Sequence, residues 1–320
     1  MATAPVSASA RRVSLPSSGD SEPLLVPDFA AAEAAVRRGV DSNSIVVLDG
    51  QNEAAARAAA VQGIASGRGP VPSRPHRVPW RTLVVVPTYN EKDNLTPIVA
   101  AIHAYLDVDV LIVDDGSPDG TGAIADQLAA RDARIHVLHR SGKQGLGTAY
   151  LAGFAFASQH GYQRVCEMDA DFSHAPWDLP RLVHASRDAD LVIGSRYVQG
   201  GCTVGWDFRR RMLSRGANLY ARLILSSGVR DNTAGFRCFH VDALRQLDLG
   251  AVAAQGYAFQ IEMAFRMQRA GFRVREIPIH FVDRRVGKSK MTGGIAKEAL
   301  LLLPRLRARV PKGRRAPVGQ

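Results

Sequence analysis

Two aspartates, Asp169 and Asp171, flank Ala170 directly after the largely apolar stretch Arg164–Met168. Carboxylates at positions i and i+2 just past a strand can point to one side and hold a divalent cation. Mg²⁺ and Mn²⁺ prefer hard oxygen ligands, and proteins often hold them with one or two carboxylates plus substrate phosphates. The pair therefore indicates chemistry on a nucleotide diphosphate, although Asp-x-Asp also occurs in ordinary surface turns.

Two further polar clusters have side chains suited to a nucleotide. In the first, Pro87 ends the ladder of an apolar run, Tyr89 could lie against a base or sugar, and Glu91 could accept hydrogen bonds from hydroxyls. In the second, Asp114 and Asp115 precede a Gly/Pro turn and could bind ribose hydroxyls or base N–H groups. Each cluster taken alone is equally compatible with a simple turn.

The glycine-rich segment Ser141–Gly147 resembles a phosphate-binding loop only superficially. It matches neither the Walker pattern nor the dinucleotide fingerprint, which should open the first βαβ unit. Its glycines instead predict a turn into a helix that begins near Thr148.

Alternating strand and helix patterns must position these clusters. Continuous β-branched and apolar runs predict strands buried on both faces, and segments with helical periodicity lie between them. The predicted strands are 82–86, 108–113, 135–138, 165–168 and 191–193, and the predicted helices are 94–106, 122–131 and 147–160. This order predicts an α/β fold with a mostly parallel sheet flanked by helices. Ligands of such sheets bind beyond the carboxyl ends of the strands, where the clusters fall.

Composition divides the chain of 320 residues into three parts. Residues 1–78 are rich in Ala, Ser, Gly and Pro, which predicts a mostly disordered extension ending in a proline-rich linker. Residues 79–294 form the predicted catalytic domain. Residues 295–320 form a basic amphipathic tail, which either lies on an anionic bilayer or begins with a helix packed on the core.

The net charge of +11 favours an anionic partner such as nucleic acid, a phosphorylated substrate or an acidic membrane surface. The three cysteines are far apart, so they predict neither a disulfide framework nor a Cys-x-x-Cys metal site. The sequence contains no apolar run of about 18 residues, and Met1–Ser18 lacks the apolar core of a secretory signal. A cytoplasmic location is the resulting expectation.

Several motifs, in the right order between about Thr82 and Thr292, resemble the inverting glycosyltransferases of family 2. Within that family the dolichyl-phosphate (polyprenyl-phosphate) mannosyltransferases are the most similar. The motifs are Val86–Glu91, Val113–Thr121, Gly145–Tyr150, Met168–His174, Gly194–Tyr197, Gly205–Asp207, Ser214–Asn218, Gly256–Met263 and Phe281–Lys290.

The resemblance implies a GT-A fold, GDP-mannose as the donor and a polyprenyl or dolichyl phosphate as the acceptor. It implies that Asp169 and Asp171 hold Mg²⁺ or Mn²⁺ on the donor diphosphate, and that Asp171, Arg196 and Arg210 are catalytic. Residues implied to line the guanosine pocket are Pro87, Tyr89, Glu91, Val113 and Asp115. Those implied to contact the phosphates or the acceptor are Ala170, Arg196, Arg210, Ser214, Arg284 and Lys290.

The chain departs from the family pattern at two places. Some relatives carry a glutamine as a further metal ligand two residues after the second aspartate, where this chain has Ser173. That change leaves open whether the protein or water supplies the third ligand. Ala234 replaces a small residue of the usual Ser/Gly-Gly-Phe-Arg motif, which is a conservative difference.

Transfer to a phosphate has modest catalytic requirements. A phosphate monoester is already ionised near neutral pH, so no strong general base is needed, in contrast to transfer onto a sugar hydroxyl. The run Arg209–Arg211 suits a dianionic acceptor, or else forms a solvated helix face. His174 is either a base or a structural or phosphate-contacting histidine.

Four other functions are alternatives to this one. A glucosyl-phosphate lipid synthase, or a transferase acting on a sugar hydroxyl, would keep the fold and metal. A processive polysaccharide synthase is disfavoured, because the chain has no Gln-x-x-Arg-Trp and no membrane helices. A basic nucleic-acid-binding protein is disfavoured because no recognition module is present.

A polyprenyl acceptor also implies contact with a membrane, since the lipid tail must stay in the bilayer. We expect the protein to bind peripherally on the cytoplasmic face, through basic loops and the C-terminal tail or through a separate integral-membrane partner protein.

Overall fold

The computed structural model describes residues 24–26, 45–47, 74–252, 256–282 and 303–310. The chain divides into two compact units, residues 1–60 and residues 61–320. In the first unit, β1 (Leu24–Val26) pairs in parallel with β2 (Ile45–Val47). The rest of the predicted disordered extension up to residue 73 lies outside the described residues.

A seven-stranded sheet forms the centre of the second unit, in the order β10-β7-β9-β6-β3-β4-β5. Its strands are β3 (Thr82–Thr88), β4 (Asp109–Asp114), β5 (Ile135–His139), β6 (Arg164–Glu167), β7 (Leu191–Ser195), β9 (Arg237–His240) and β10 (Val274–Pro278). The pairs within β3–β6 and the pair β10–β7 are parallel, whereas β9 is antiparallel to both β6 and β7. The predicted mostly parallel sheet is confirmed.

Helices cover both faces of this sheet. They are α1 (Lys92–Tyr105), α2 (Thr121–Arg131), α3 (Leu146–Gln159), α4 (Leu179–Ala185), α5 (Phe208–Leu225), α6 (Val241–Arg245) and α7 (Gly256–Arg269). Short 3₁₀ turns at Pro176–Asp178 and Leu249–Ala251 precede α4 and α7. The strand residues alternate between two apolar clusters. Val84 and Ile112 pack with α1, whereas Val85 and Leu111 pack with α3.

The predicted elements match the observed ones closely, but Pro87 departs from the prediction and several elements were not predicted. Pro87 does not end the ladder, because β3 continues to Thr88 and pairs there with Asp114. Proline is tolerated at this position because it lacks only the N–H donor, and the strand ends one residue later. The strand pattern predicted neither β9 nor β10, and the helix pattern did not predict α4 to α7.

A small parallel sheet lies beside the carboxyl edge of the large one. It pairs β8 (Cys202–Val204) with β11 (His280–Val282). The amide of Val282 also donates to the carbonyl of Ser173, at 3.3 Å. The small sheet is therefore connected, through β11, to the turn that carries the aspartate pair.

The described part of the C-terminal tail, residues 303–310, is helical from 303 to 309 and packs on the core. Leu303, Leu306 and Val310 are buried against α5 and α7 in a cluster that includes Leu225 and Phe265. Of the two arrangements considered for this stretch, packing on the core is the one observed for residues 303–310. Among the helices that the structure describes, none is long and apolar enough to cross a membrane.

Candidate functional site

A cavity of about 300 Å³ opens at the carboxyl edge of the sheet. It collects residues from the ends of β3, β4, β6 and β7 and from α3, α5 and α7. The predicted site residues that line it are Pro87, Tyr89, Glu91, Asp115, Asp169, Ala170, Asp171, Arg196 and Arg210. The strand-end clusters predicted from the sequence therefore converge on one cavity.

The aspartate pair sits on a strained turn directly after β6. Asp171 is almost fully buried, and its carboxylate accepts the amide N–H of Ser173 at 3.0 Å. Phe172 adopts a positive φ of 60°, a backbone region that bulky residues rarely occupy and that costs about 1 kcal/mol or more. The turn thus holds both carboxylates at the cavity in a conformation that propensity alone would not select.

Two buried side chains fix the position of Asp169. The Tyr150 hydroxyl donates to its carboxylate at 3.1 Å, and its amide N–H donates to His174 Nδ1 at 3.2 Å. Burial, followed by the Asp169 charge, raises the pKa of Tyr150 well above its usual value. Tyr150 therefore remains a hydrogen-bond donor at any working pH. The Nδ1 atom of His174 acts as an acceptor, and the His174 ring stacks on the Phe236 ring with centroids 5.1 Å apart.

A buried glutamate and a buried arginine lie side by side beneath the turn, within the sheet. Glu167 of β6 is the cross-strand neighbour of Arg237 of β9, and both are fully buried. Burial raises the pKa of Glu167 to about 8, partly offset by the Arg237 charge. The Arg237 guanidinium donates to the backbone carbonyls of Asn232, Ala234 and Gln260 at 2.7–2.8 Å. Arg237 thereby anchors the loop after α5, and α7, to the floor of the cavity.

The nucleotide side of the cavity is built by neighbouring strand ends. Asp115 accepts from Arg140 Nε at 2.6 Å, and the Lys143 ammonium lies 4.6 Å from the centroid of the Tyr89 ring. Asp114 instead points into its own turn, where it accepts from the Ser117 hydroxyl at 2.6 Å. The two adjacent aspartates therefore differ in role, since only Asp115 lines the cavity.

The glycine-rich segment reaches the same cavity. Gly145, with a φ of 99°, allows the predicted turn into a helix, which begins at Leu146. Gly145, Leu146 and Ala149 line the cavity, so the N-terminal turn of α3 faces it. Because backbone N–H groups at a helix N-terminus carry partial positive charge, this position favours an anionic ligand. The sequence predicted the turn but not its contribution to the site.

Arg196, at the end of β7, is held in a buried ion pair. Its Nε and Nη2 donate to the Asp231 carboxylate at 2.7 and 2.6 Å, and Nη2 also donates to Thr233 at 2.7 Å. Its guanidinium carbon lies 5.3 Å from the centroid of the Phe281 ring. The pairing fixes the guanidinium at the cavity wall and offsets most of its charge.

Arg210 is the one member of the triple-arginine run that lines the cavity, whereas Arg209 and Arg211 are exposed. Its guanidinium carbon lies 4.2 Å from the centroid of the Trp206 ring. Asp207 caps the helix by accepting the Arg210 amide N–H at 2.7 Å. The N-cap thus sets where α5 begins and places Arg210 in its first turn.

Among the described residues, two predicted site residues, Val113 and Ser214, do not line the cavity. Val113 is fully buried in β4. Ser214 is buried one turn beyond Arg210, where its hydroxyl accepts from the Tyr197 hydroxyl at 2.6 Å. Arg284 and Lys290 lie outside the described residues. Ser173, at the position of the additional family ligand, is buried and does not line the cavity either.

Sequence reasoning missed several residues of the site. Lys143 and Gln260 line the cavity, and Asp231 holds Arg196. Lys143 could have been found because it precedes a predicted helix start at the sheet edge. Asp231 gave no signal, since it is 35 positions from its partner and lies in an ordinary turn.

Comparison with known proteins agrees with this geometry. Residues 83–248 match the sequence model of glycosyl transferase family 2. The polyprenol monophosphomannose synthase of Mycolicibacterium smegmatis is 50% identical over 238 residues, which are 73% of this chain and 89% of that protein. The undecaprenyl-phosphate mannosyltransferase of Micrococcus luteus is 50% identical over 226 residues, which are 70% of this chain and 93% of that protein.

Solved structures show the same fold at low sequence identity. Glucosyl-3-phosphoglycerate synthase from Mycobacterium tuberculosis, solved with Mn²⁺, UDP-glucose and glycerol 3-phosphate, superposes with a TM-score of 0.54 at 18% identity. The match covers 72% of this chain and 81% of that one. With the cavity at the sheet edge and the aspartate pair within it, these comparisons lead to one conclusion: the chain belongs to glycosyl transferase family 2 and is a glycosyltransferase with a GT-A-like fold.

Proposed function

We propose that the protein transfers mannose from GDP-mannose to a polyprenyl phosphate, with inversion at the anomeric carbon. The observation that carries this proposal is the convergence of Asp169, Asp171 and Arg210 on one cavity. The names of the two relatives at 50% identity support mannose as the sugar and a polyprenyl phosphate as the acceptor. The names of the relatives specify neither the donor nucleotide nor the stereochemistry, so both belong to the proposal alone.

The donor nucleoside would lie over the ends of β3 and β4. Tyr89 offers a ring face, and Glu91 and Asp115 offer carboxylate oxygens that can accept hydrogen bonds from a guanine N–H or a ribose hydroxyl. Lys143 and the N-terminus of α3 would then lie near the diphosphate and favour its negative charge. This arrangement accounts for the cavity being lined by both carboxylates and cationic groups.

The aspartate pair fits a divalent cation, Mg²⁺ or Mn²⁺. Both carboxylates line the cavity within one turn and present hard oxygen ligands. In the described part of the chain, no third His, Cys, Asp or Glu joins them to form a complete protein site. Two carboxylates complemented by substrate phosphates are a common way to bind Mg²⁺. Such an ion would stabilise the charge that develops on the leaving diphosphate.

The acceptor side needs positive charge more than it needs a base. Arg210 would orient the acceptor phosphate opposite the donor sugar, and Arg196 would contribute hydrogen bonds from a fixed position. A phosphate oxygen is ionised near neutral pH, so it can attack the anomeric carbon directly as the bond to the diphosphate breaks. His174 then acts as a positioning residue, because its Nδ1 accepts the Asp169 amide N–H.

A transfer assay with purified full-length protein tests this proposal. Labelled GDP-mannose or UDP-glucose would be offered with Mn²⁺ or Mg²⁺, with and without a short-chain polyprenyl phosphate. We expect mannose to enter the lipid fraction only when the acceptor and a divalent ion are present. The anomeric configuration of the product, read by NMR, should be opposite to that of the donor.

Two outcomes would contradict the proposal. Use of UDP-glucose in place of GDP-mannose would instead identify a polyprenyl-phosphate glucosyltransferase. Full transfer in the presence of a chelator would remove the role assigned to the aspartate pair.

A further inference from the structure

A second cavity, of about 510 Å³, lies on the other side of Arg196 from the catalytic one. Four arginines and no carboxylate line it. Its lining comes from β7 and the following loop, from one side of α5, and from the turn after α5, with Arg196, Arg215, Arg222 and Arg230 as the charged residues. This surface is called the arginine groove below.

Three of these arginines form no ion pair in the described part of the chain. Within the described ranges, no carboxylate oxygen lies within 4.0 Å of the guanidinium nitrogens of Arg215, Arg222 or Arg230, and all three side chains are exposed. Arg196 differs, because Asp231 offsets its charge. Like charges held around one concave surface repel one another, and a bound anion removes that repulsion. The arginine groove is therefore suited to an anion such as a phosphate group.

An apolar stripe runs along α5 next to the arginine groove. Phe208, Met212, Leu219 and Leu223 are 73%, 52%, 54% and 68% exposed, and their spacing of four and seven residues places them on one face. Leu219 also lines the arginine groove. The opposite face of α5 is the one that packs on the core, through Ala221 and Leu225. The exposed stripe and the arginines thus form one continuous amphipathic surface.

We propose that the arginine groove binds the phosphate of an anionic membrane lipid, with the apolar stripe lying among the lipid chains. A free anion would be satisfied by the arginines alone and would not account for four large apolar side chains exposed beside them. Basic and apolar residues on one helix face are the combination that holds a helix in a membrane interface.

This inference deepens the proposed function but assigns a different site. The acceptor phosphate is placed in the catalytic cavity near Arg210, whereas Arg215, Arg222 and Arg230 line only the groove. A lipid bound there would hold the catalytic cavity at the bilayer, where a polyprenyl phosphate resides. The inference also moves the expected membrane contact from the C-terminal tail to α5.

Sedimentation with vesicles tests the groove without using any polyprenyl phosphate. Full-length protein would be mixed with vesicles of phosphatidylcholine alone, or of phosphatidylcholine with phosphatidylglycerol. The variant Arg215→Gln, Arg222→Gln and Arg230→Gln should bind the phosphatidylglycerol vesicles about a hundredfold more weakly than the wild type, since each arginine near an anionic surface contributes about fivefold.

A matched control removes the same three charges from elsewhere. Arg131, Arg187 and Arg275 are exposed and lie outside the groove, so replacing all three by Gln should weaken vesicle binding much less. Equal weakening in the two triple variants would show an effect of net charge alone and overturn the assignment. Thermal unfolding of each variant would establish that the fold is retained.

The apolar stripe has its own test, which separates a lipid from free phosphate. Leu219→Gln with Leu223→Gln should weaken binding to the phosphatidylglycerol vesicles although no charge changes. Unchanged vesicle binding in this variant, together with binding of inorganic phosphate that the triple arginine variant loses, would mean a free-anion site and overturn the lipid assignment. If the wild type binds the phosphatidylglycerol vesicles but transfers no mannose, that result would count against the proposed function and not against the lipid site.

Discussion

The two sides of the catalytic cavity are built differently. The side proposed to bind the donor, at the ends of β3, β4 and β6, holds its carboxylates through short contacts to a guanidinium, a buried hydroxyl and a backbone amide, as Asp115, Asp169 and Asp171 show. The side proposed to bind the acceptor takes Arg196 from the end of β7 and Arg210 from α5, a helix with one apolar face exposed.

This difference matches what the proposed function asks each side to bind. A nucleotide sugar would meet groups that the ends of buried strands can preorganise. A lipid acceptor would arrive from a membrane surface, and an exposed helix next to the reactive centre would suit it. On the proposed donor side, activity should therefore be sensitive to the replacement of single atoms. On the proposed acceptor side, it should be sensitive to the loss of charge and of surface contact.

The largest effect is expected at the aspartate pair. Asp171→Asn keeps the shape of the side chain but removes the charge that would bind a divalent ion, so transfer should fall by about a thousandfold. The measurement is the rate of sugar transfer at saturating Mn²⁺. Asp188→Asn, an exposed aspartate outside the cavity, is the matched control, and an equal fall in both would refute the metal assignment.

A smaller loss is expected on the acceptor side. Arg210→Ala should reduce transfer by about a hundredfold, mostly as a higher KM for the acceptor, while the KM for the donor changes little. Arg210→Lys should recover only part of the activity, because an ammonium cannot reproduce two parallel hydrogen bonds. A change confined to the KM for the donor would show that Arg210 contacts the donor, which would contradict its assignment to the acceptor.

Positioning of Asp169 should have a moderate effect. Tyr150→Phe removes the hydroxyl that donates to Asp169 and should weaken Mn²⁺ binding about tenfold, since residues that orient metal ligands contribute at that level. The affinity for Mn²⁺ is measured as the Mn²⁺ concentration that gives half-maximal activity. Tyr162→Phe removes a comparable hydrogen bond, 2.6 Å long, from Asp109 and should leave that concentration unchanged.

The smallest effect on catalysis is expected at Asp178, which is buried and does not line the cavity. Its carboxylate accepts from Arg181 at 2.5 Å, and Arg181 also donates to the carbonyl of Pro278 at the end of β10. Burial raises the pKa of Asp178 from 3.8 to about 6. Between these values the folded state keeps a proton that the unfolded chain has lost, so the free energy of unfolding falls as pH rises.

Asp178→Asn should abolish that dependence. Relative to wild type, the free energy of unfolding of the variant should rise by up to about 3 kcal/mol between pH 4 and pH 7, with little change in transfer rate. Urea unfolding at several pH values provides the measurement. Parallel pH profiles for the two proteins would show that Asp178 does not titrate in this range.

The sequence was sufficient for the central strands because of their composition. Val84–Val86 and Val110–Val113 are continuous β-branched and apolar runs, and strands buried on both faces require such runs. Their helices follow at regular intervals, so a parallel sheet follows, and its carboxyl edge brings Glu91, Asp115 and Asp169 together.

The short antiparallel strand β9 could not be predicted in the same way. Arg237–His240 is four residues long and includes an arginine and a histidine, so its pattern does not indicate a buried strand. It is stable there because the buried Arg237 guanidinium donates hydrogen bonds to three backbone carbonyls, one of them that of Gln260 in α7. Those partners exist only once the chain has folded.

For the aspartate pair, the sequence by itself determined residue type, spacing and position at a strand end, because these depend on local pattern. Only the tertiary structure decided that Tyr150 and His174 fix Asp169, that Asp231 holds Arg196, and that α5 turns its apolar stripe outward. The Tyr150–Asp169 and Arg196–Asp231 contacts join residues 19 and 35 positions apart, and their free energy comes from burial and charge pairing that no local segment contains.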